Sequence, residues 1–296
     1  MYELRAGSRE SRLAVVQTEL IGEAIRALHP GTRIGLVTMK TTGDKILDRT
    51  LDKVGGKGLF VKELDAALLD GRIDFAVHSC KDLPMELSPG LRLGAFSRRE
   101  DPRDVLILPE GAEELDPSKP IGCASARRAL QLKALFPGQP VAPVRGNVLT
   151  RLQKLDRGEY AALVLAAAGV KRLGLEGRIA RWFPTEELLP AAGQGILAVT
   201  VRAEDRAPWL EGVGDPDSTA CALAERAFVR ELDGGCSSPV AAFAVLEGER
   251  LTLRGMDIGA DGAPVFGSLS GRREDAEALG EALAHRVREG SVCTAK

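Results

Sequence analysis

The sequence predicts an α/β protein closed by a smaller α+β unit, and three observations predict it. Through the first two thirds, short apolar runs alternate with amphipathic segments, the pattern of strands and crossover helices in a parallel or mixed sheet. The last third holds three strand-like runs and one closing helical pattern. The chain has 296 residues, more than one ordinary core, so two or three domains of about 100 residues each are expected.

Taken in order, Ser11 to Leu28 reads as a helix stopped by His29-Pro30-Gly31, and Ile34 to Met39 as a strand. After the loop Gly55-Gly56-Lys57-Gly58, the residues Phe60, Leu64, Ala67 and Leu68 recur at helical spacing up to Asp70-Gly71. Ile73 to His78 is the next strand, with Lys81-Asp82 just past its carboxyl end, where open α/β sheets bind ligands. A second unit begins near Ser97-Arg98-Arg99, a polar stretch that reads as a crossover. It holds strands Pro120 to Gly122, Val141 to Val144 and Ala161 to Ala166, with helices Ala126 to Leu135 and Asn147 to Asp156. Pro190 to Gly195 reads as the return crossing, followed by strand Ile196 to Val201. In the third unit Ser218 caps a helix reaching Leu232, and Gly234-Gly235-Cys236-Ser237-Ser238-Pro239 makes a sharp loop. Strands Val240 to Leu246, Leu251 to Ile258 and Val265 to Leu269 follow, then a helix from Glu274 to Arg288.

Composition narrows the function classes. With 44% apolar and 28% charged residues the chain reads as soluble and globular, and no apolar stretch of about 18 residues marks a membrane span. The start Met1 to Ala6 lacks the basic-then-apolar order of a secretory signal, so the cytoplasm is the expected compartment. Five cysteines without C-x-x-C spacing argue against a disulfide framework and a zinc cluster. Aromatic content of 4% and a net charge of −2 argue against a nucleic-acid binder. Locally the balance differs: Ile121 to Tyr160 carries seven basic residues against two acidic ones, so that segment faces anions.

Particular residues stand out. Arg127 and Arg128 fall in the first turn of their helix, where the macrodipole is already positive and each cation costs roughly 0.3 to 1 kcal/mol. Two guanidinium forks at a helix N-terminus suit a carboxylate or phosphate; the rival explanation is a solvated face answered by an acid from elsewhere. Arg145 and Arg151 bracket the next helix start in the same manner. Asp82 either braces the turn before Leu83-Pro84 or acts at the strand end. Lys53 to Gly58 fits no nucleotide-binding fingerprint and reads as a lid or a surface loop. Cys236, flanked by glycines and serines, has the most accessible thiol setting of the five. His78 reads as a satisfied structural histidine rather than a metal ligand.

The strings KVGGKGLFVKELDAALL, VHSCKDLP, VRGNVLTRL, PAAGQG and GGCSSPV, in this order along essentially the whole chain, resemble the hydroxymethylbilane synthase (porphobilinogen deaminase) family. The resemblance implies three domains, two like the lobes of periplasmic binding proteins and a small α+β C-terminal domain with a three-stranded sheet. Their spans are 1–96 with 194–213, 97–193, and 214–296. It implies head-to-tail condensation of four porphobilinogen molecules, with release of ammonia, to the linear tetrapyrrole hydroxymethylbilane. The primer is a dipyrromethane in thioether linkage to Cys236. Asp82 matches the family's catalytic aspartate. Arg9, Ser11, Asp44, Lys81, Ser125, Arg127, Arg128, Arg145, Arg151 and Arg172 match cofactor- or substrate-binding positions, and Lys53, Lys57 and Phe60 match a mobile loop over the cleft. No metal is implied. A monomer is expected, with room for a transient handover to uroporphyrinogen-III synthase.

Two positions depart from the family's pattern: Gly122-Cys123-Ala124-Ser125 replaces the common G-T-S-S, and Thr42 stands where many members have arginine. The rival reading is a two-lobed carboxylate-binding protein without catalysis, which fold analogy alone does not exclude.

Overall fold

A computed structural model of the chain describes residues 1–45, 58, 60–234 and 238–290, with the side chains of Asp44 and Lys45 outside the description. Two five-stranded sheets and one three-stranded sheet organise it. The first sheet has the order β2-β1-β3-β10-β4, built from β1 (Glu3–Arg9), β2 (Arg33–Met39), β3 (Phe75–Ser79), β4 (Leu91–Phe96) and β10 (Leu197–Arg202). The second has the order β7-β6-β8-β5-β9, from β5 (Asp104–Ile107), β6 (Ile121–Cys123), β7 (Val141–Pro143), β8 (Ala162–Ala166) and β9 (Ile179–Trp182). Each sheet has three parallel strands and then a strand that runs antiparallel to both of its neighbours. That fourth strand arrives from the other side of the molecule: β5 follows the crossing at 97–103, and β10 follows the return crossing at 190–196. The crossings lie side by side, with Ser97 N–H on Leu197 O at 2.9 Å and Glu100 N–H on Gly195 O at 3.1 Å.

Helices cover the sheets because their apolar residues recur on one face. In α1 (Arg12–Leu28) Ala14, Gln17, Thr18, Ile21, Gly22 and Ile25 are buried, a spacing of three and four. A single turn α2 (Thr42–Lys45) follows, then α3 (Lys62–Leu69). The second lobe carries α4 (Ala126–Leu135), α5 (Val148–Asp156) and α6 (Ala167–Arg172). Side chains cap the starts: the Ser11 Oγ accepts from Ala14 N–H, Ser125 Oγ from Arg128 N–H and Asn147 Oδ1 from Thr150 N–H. All three caps lie at the carboxyl ends of parallel strands and face the space between the lobes.

The C-terminal domain packs α7 (Pro216–Glu231) and α8 (Ala276–Arg288) on one face of the antiparallel sheet β11 (Ala241–Glu247), β12 (Arg250–Ile258) and β13 (Pro264–Arg272). Here the predicted cap is corrected. Asp215, not Ser218, caps α7: its carboxylate accepts from Ser218 N–H at 2.7 Å, and Pro216 opens the helix. The sequence reading also passed over β1, β4, β5, β9 and α6. In β1 and β5 the reason is visible, since charged residues interrupt ELRAGSR and the polar run Asp101-Pro102-Arg103 precedes the four buried residues of β5.

Where α7 and α8 meet, Gly280 brings the backbones together: a Cβ there would stand 2.3 Å from Ala224 O and 2.7 Å from Ala227 Cβ. Replacing Gly280 by alanine should destabilise this domain by about 1–3 kcal/mol through overpacking, read as a lower urea midpoint at unchanged slope.

Candidate active site

The lobes enclose a cleft of about 550 Å³, the size of a small-molecule site. Arg9 ends β1, Ser11 caps α1, and Lys81 and Asp82 lie in the 3₁₀ turn that follows β3. From the other lobe come Ser125, Arg127 and Arg128 at the start of α4, Arg145 before α5, Arg151 within α5, and Arg172 at the end of α6. All of these line the one cleft, as does Phe60. The Arg9 guanidinium lies 4.4 Å from the Phe60 ring centroid. Ser238, Val229 and Val240 line the end nearest the C-terminal domain. Cys236, Lys53 and Lys57 lie outside the described residues, as does the side chain of Asp44.

Among the described residues, the lining carries eight lysines and arginines against two acids, Glu10 and Asp82. Such a wall holds polycarboxylates and opposes cations. The crowding shows in the acid–base balance. Burial, reinforced by Arg128, pushes the Lys81 ammonium down to about 8, and Asp82 and Asp104 pull the other way. Arg151 is pushed down to about 10 by burial and by its neighbours Arg128 and Arg145, and burial does the same to Arg172. The Asp82 charge is felt by Lys81 and, across the cleft, by Arg128 and Arg151.

One residue that sequence reasoning missed organises the arginine pair. Asp104, the first residue of β5, is fully buried and accepts from Arg127 Nη2 at 2.8 Å and from Arg128 Nη2 at 2.7 Å and Nε at 3.1 Å. Two further donors reach backbone, Arg127 Nη1 to Leu189 O at 2.6 Å and Arg128 Nη1 to Val164 O at 3.2 Å, while the buried Arg127 Nε has no hydrogen-bond partner among the described residues. An acid from elsewhere therefore does answer the two arginines, but in the interior rather than on a solvated face. Burial would raise the Asp104 carboxyl; the two guanidiniums overturn that and hold it well below the carboxylate range. Burial pushes both arginines down, and Asp104 more than offsets this at Arg128, which gives it two hydrogen bonds, but not at Arg127, which gives it one. The available signal was an acid opening the apolar strand Asp104-Val105-Leu106-Ile107, which demands a buried partner.

The two departures have structural counterparts. Thr42 gives its N–H and hydroxyl to Glu63 Oε1 at 2.8 and 2.6 Å, so it ties α2 to α3. The Cys123 thiol stands 3.6 Å from Ser125 O beneath the start of α4. Cys80, Cys123 and Cys221 are buried, and burial pushes the thiols of Cys80 and Cys221 up to about 11, which disfavours the nucleophilic thiolate. His78 is buried, 3.1 Å from the Thr200 hydroxyl, and burial pushes it down to about 4. No group of three or more metal-ligating side chains occurs among the described residues, nor does any helix there that is long and apolar enough to cross a membrane.

Because the Asp104 carboxyl titrates lower folded than unfolded, its stabilisation is present above the ordinary value of 3.8 and is lost as the pH falls below it. Asp104→Asn should lower stability near neutral pH by about 3–5 kcal/mol, since two guanidiniums lose their counter-charge, and the gap to wild type in urea unfolding should narrow in acid.

The family model for the porphobilinogen deaminase dipyrromethane cofactor binding domain matches residues 4–208, and that for the porphobilinogen deaminase C-terminal domain matches residues 219–289. The chain is 53% identical over 289 residues to a porphobilinogen deaminase of Acetivibrio thermocellus, covering 98% of this chain and 99% of that one. It is 49% identical over 292 residues to the enzyme of that name from Chromobacterium violaceum, covering 97% and 94%. Among solved structures, the periplasmic aliphatic sulphonate binding protein SsuA from Escherichia coli aligns at 15% identity with a TM-score of 0.41, covering 78% of this chain and 70% of that one. With both family models matched in order and half of the residues shared with curated relatives across nearly the whole length, this chain belongs to the porphobilinogen deaminase family, transferases of tetrapyrrole biosynthesis that work with a dipyrromethane cofactor.

Proposed function

We propose that this chain condenses four porphobilinogen molecules head to tail into hydroxymethylbilane, with release of ammonia at each step. Asp82 is the catalytic carboxylate and Cys236 the thioether anchor. The observation that carries this reading is the juxtaposition of Asp82, at the carboxyl end of β3, with a wall of arginines contributed mainly by the opposite lobe. Each porphobilinogen brings an acetate and a propionate, so every unit added brings two negative charges. Eight cationic side chains along the cleft match that demand.

The donor set also fits a dipyrromethane. Two pyrroles carry four carboxylates, and Ser238, two residues past Cys236, lines the same cleft as the arginines. When bound, that group supplies the pyrrole terminus to which each new unit is joined. Residues of this chain do the rest. Arg127 and Arg128, held in place by Asp104, present fixed donors rather than searching side chains. Ser11 and Ser125 open helices whose N-terminal dipoles favour the same anions. Asp82 accepts from the pyrrole N–H and steadies the positive charge that develops on porphobilinogen as ammonia departs. A pair of unit charges about 4 Å apart in an effective dielectric of about 20 attract by roughly 4 kcal/mol. Confined to the transition state, that accelerates the step by up to about three orders of magnitude. The chain works as a cytoplasmic monomer that passes its product to uroporphyrinogen-III synthase.

Intact mass before and after addition of porphobilinogen tests the reading. The purified protein should be heavier than its sequence by two pyrrole units and then gain one unit at a time. A protein of bare sequence mass that is fully active refutes the covalent primer. Cys236→Ser should lack the added mass; a normal adduct there moves the anchor elsewhere. Asp82→Ala should keep its fold and its adduct but lose turnover by about three orders of magnitude, and near-normal turnover removes Asp82 from the chemistry.

A further inference from the structure

We infer that Gln194 is a positioning residue: its amide fixes the Lys81 ammonium next to Asp82 and ties it to the Asp104 anchor of the opposite lobe. The inference rests on the reading of Asp82 and Lys81 given above.

Gln194 lies on the return crossing and is fully buried. Its Nε2 stands 2.6 Å from Pro102 O and 2.9 Å from Asp104 Oδ1, and its Oε1 accepts from Lys81 Nζ at 3.2 Å. A carbonyl and an ionised carboxylate can only accept, so they fix which end of the amide is nitrogen. The oxygen is thereby committed to Lys81. One neutral side chain thus joins the arginine-bound carboxylate of one lobe to the cation beside Asp82 in the other. Donation to Asp104 polarises the amide and strengthens its oxygen as an acceptor.

The backbone around Gln194 has no slack. Gly193 N–H donates to Glu225 Oε2 at 2.6 Å, Gln194 O accepts from Arg99 Nη1 at 2.9 Å, and Gly195 O accepts from Arg172 Nη2 at 2.7 Å. Gly193 and Gly195 have φ of 71° and 91°, and a Cβ on them would come within 2.4 Å of Cys80 Sγ and 2.2 Å of Glu100 O. The second lobe and the C-terminal domain therefore hold this backbone, with Cys80 of the first lobe packed against Gly193, and the amide nitrogen is held by Pro102 O and Asp104. A lysine ammonium on its four-carbon stem is otherwise poorly oriented. An acceptor held this rigidly selects one of its positions.

The test replaces Gln194 by methionine, which keeps the length but has neither donor nor acceptor, and by glutamate, which puts a charge in the same volume. The readout is the pH dependence of Lys81 acetylation by acetic anhydride in the full chain, mapped by peptide mass, alongside porphobilinogen turnover. The wild-type midpoint should lie near 8. Gln194→Met should lower it by ~0.5 pH unit or more and Gln194→Glu should raise it, because the ammonium loses an acceptor in one and gains a negative neighbour in the other. Turnover of Gln194→Met should fall ~10-fold or more with the adduct retained. Midpoints that stay put in both variants, or move in the same direction, overturn the inference. So does a shifted midpoint with turnover within about twofold of wild type. If Gln194→Met does not accumulate as folded protein, the direction of the Gln194→Glu shift decides. Acetylation needs no turnover, so it judges Gln194 even if wild-type protein fails to consume porphobilinogen, a result that would refute only the functional reading.

Discussion

The carboxylate of Asp104, fully buried between two guanidinium groups, is the interaction on which the rest of the cleft depends. A wall of arginines built to receive a polyanion repels itself while the polyanion is absent, and burial raises that cost. One internal acid neutralises part of the charge and fixes the direction of two forks. It sits at the start of β5, the strand that reaches the second sheet by way of the crossing, so the counter-charge is attached to the junction of the lobes and not to a loop at the rim. Arg145 and Arg151 line the same cleft and are only partly buried, so the wall runs from a buried, pinned pair to arginines with some exposure.

This arrangement also divides labour between affinity and chemistry. On the proposed reading, positive side chains from both lobes meet the carboxylates of every pyrrole alike, a uniform contribution that holds the chain without favouring one step. On the same reading, Asp82 supplies the opposite sign where charge appears in the reaction. Its neighbour Lys81 is pushed down to about 8 by burial, and the Asp82 charge pulls it back up.

Much of this was legible in the sequence, and the losses have physical causes. Regular amphipathic helices such as Arg12–Leu28 and Ala126–Leu135 were read to within a residue, because their buried positions follow the helical period and their Ser caps are adjacent. Strands β5 and β9 were not. Four buried residues after a polar crossing are too few to show alternation, and Ile179–Trp182 has charge in its middle. In the site, residues that touch the ligand space could be named from family strings. The roles of Asp104 and Gln194 could not, even though Gln194 lies within PAAGQG, because their meaning is a partner 23 or more positions away along the chain. Sequence shows a buried acid's need for a partner and does not say which basic residue meets it.

The exchange of strands between the lobes has a consequence for how the polypeptide is made. Among the described residues β4 pairs only with β10, and β10 also covers the free side of β3. A ribosome that has released residues 1–96 has therefore produced both halves of a sheet without the strand that joins them, and must synthesise the entire second lobe before that strand emerges. The second lobe has the reverse good fortune: β5 through β9 leave the exit tunnel as one uninterrupted block. The N-terminal lobe, first to be translated, is thus the later of the two to be completed, and during that interval its open strand edges are the part of the nascent chain most in need of shelter.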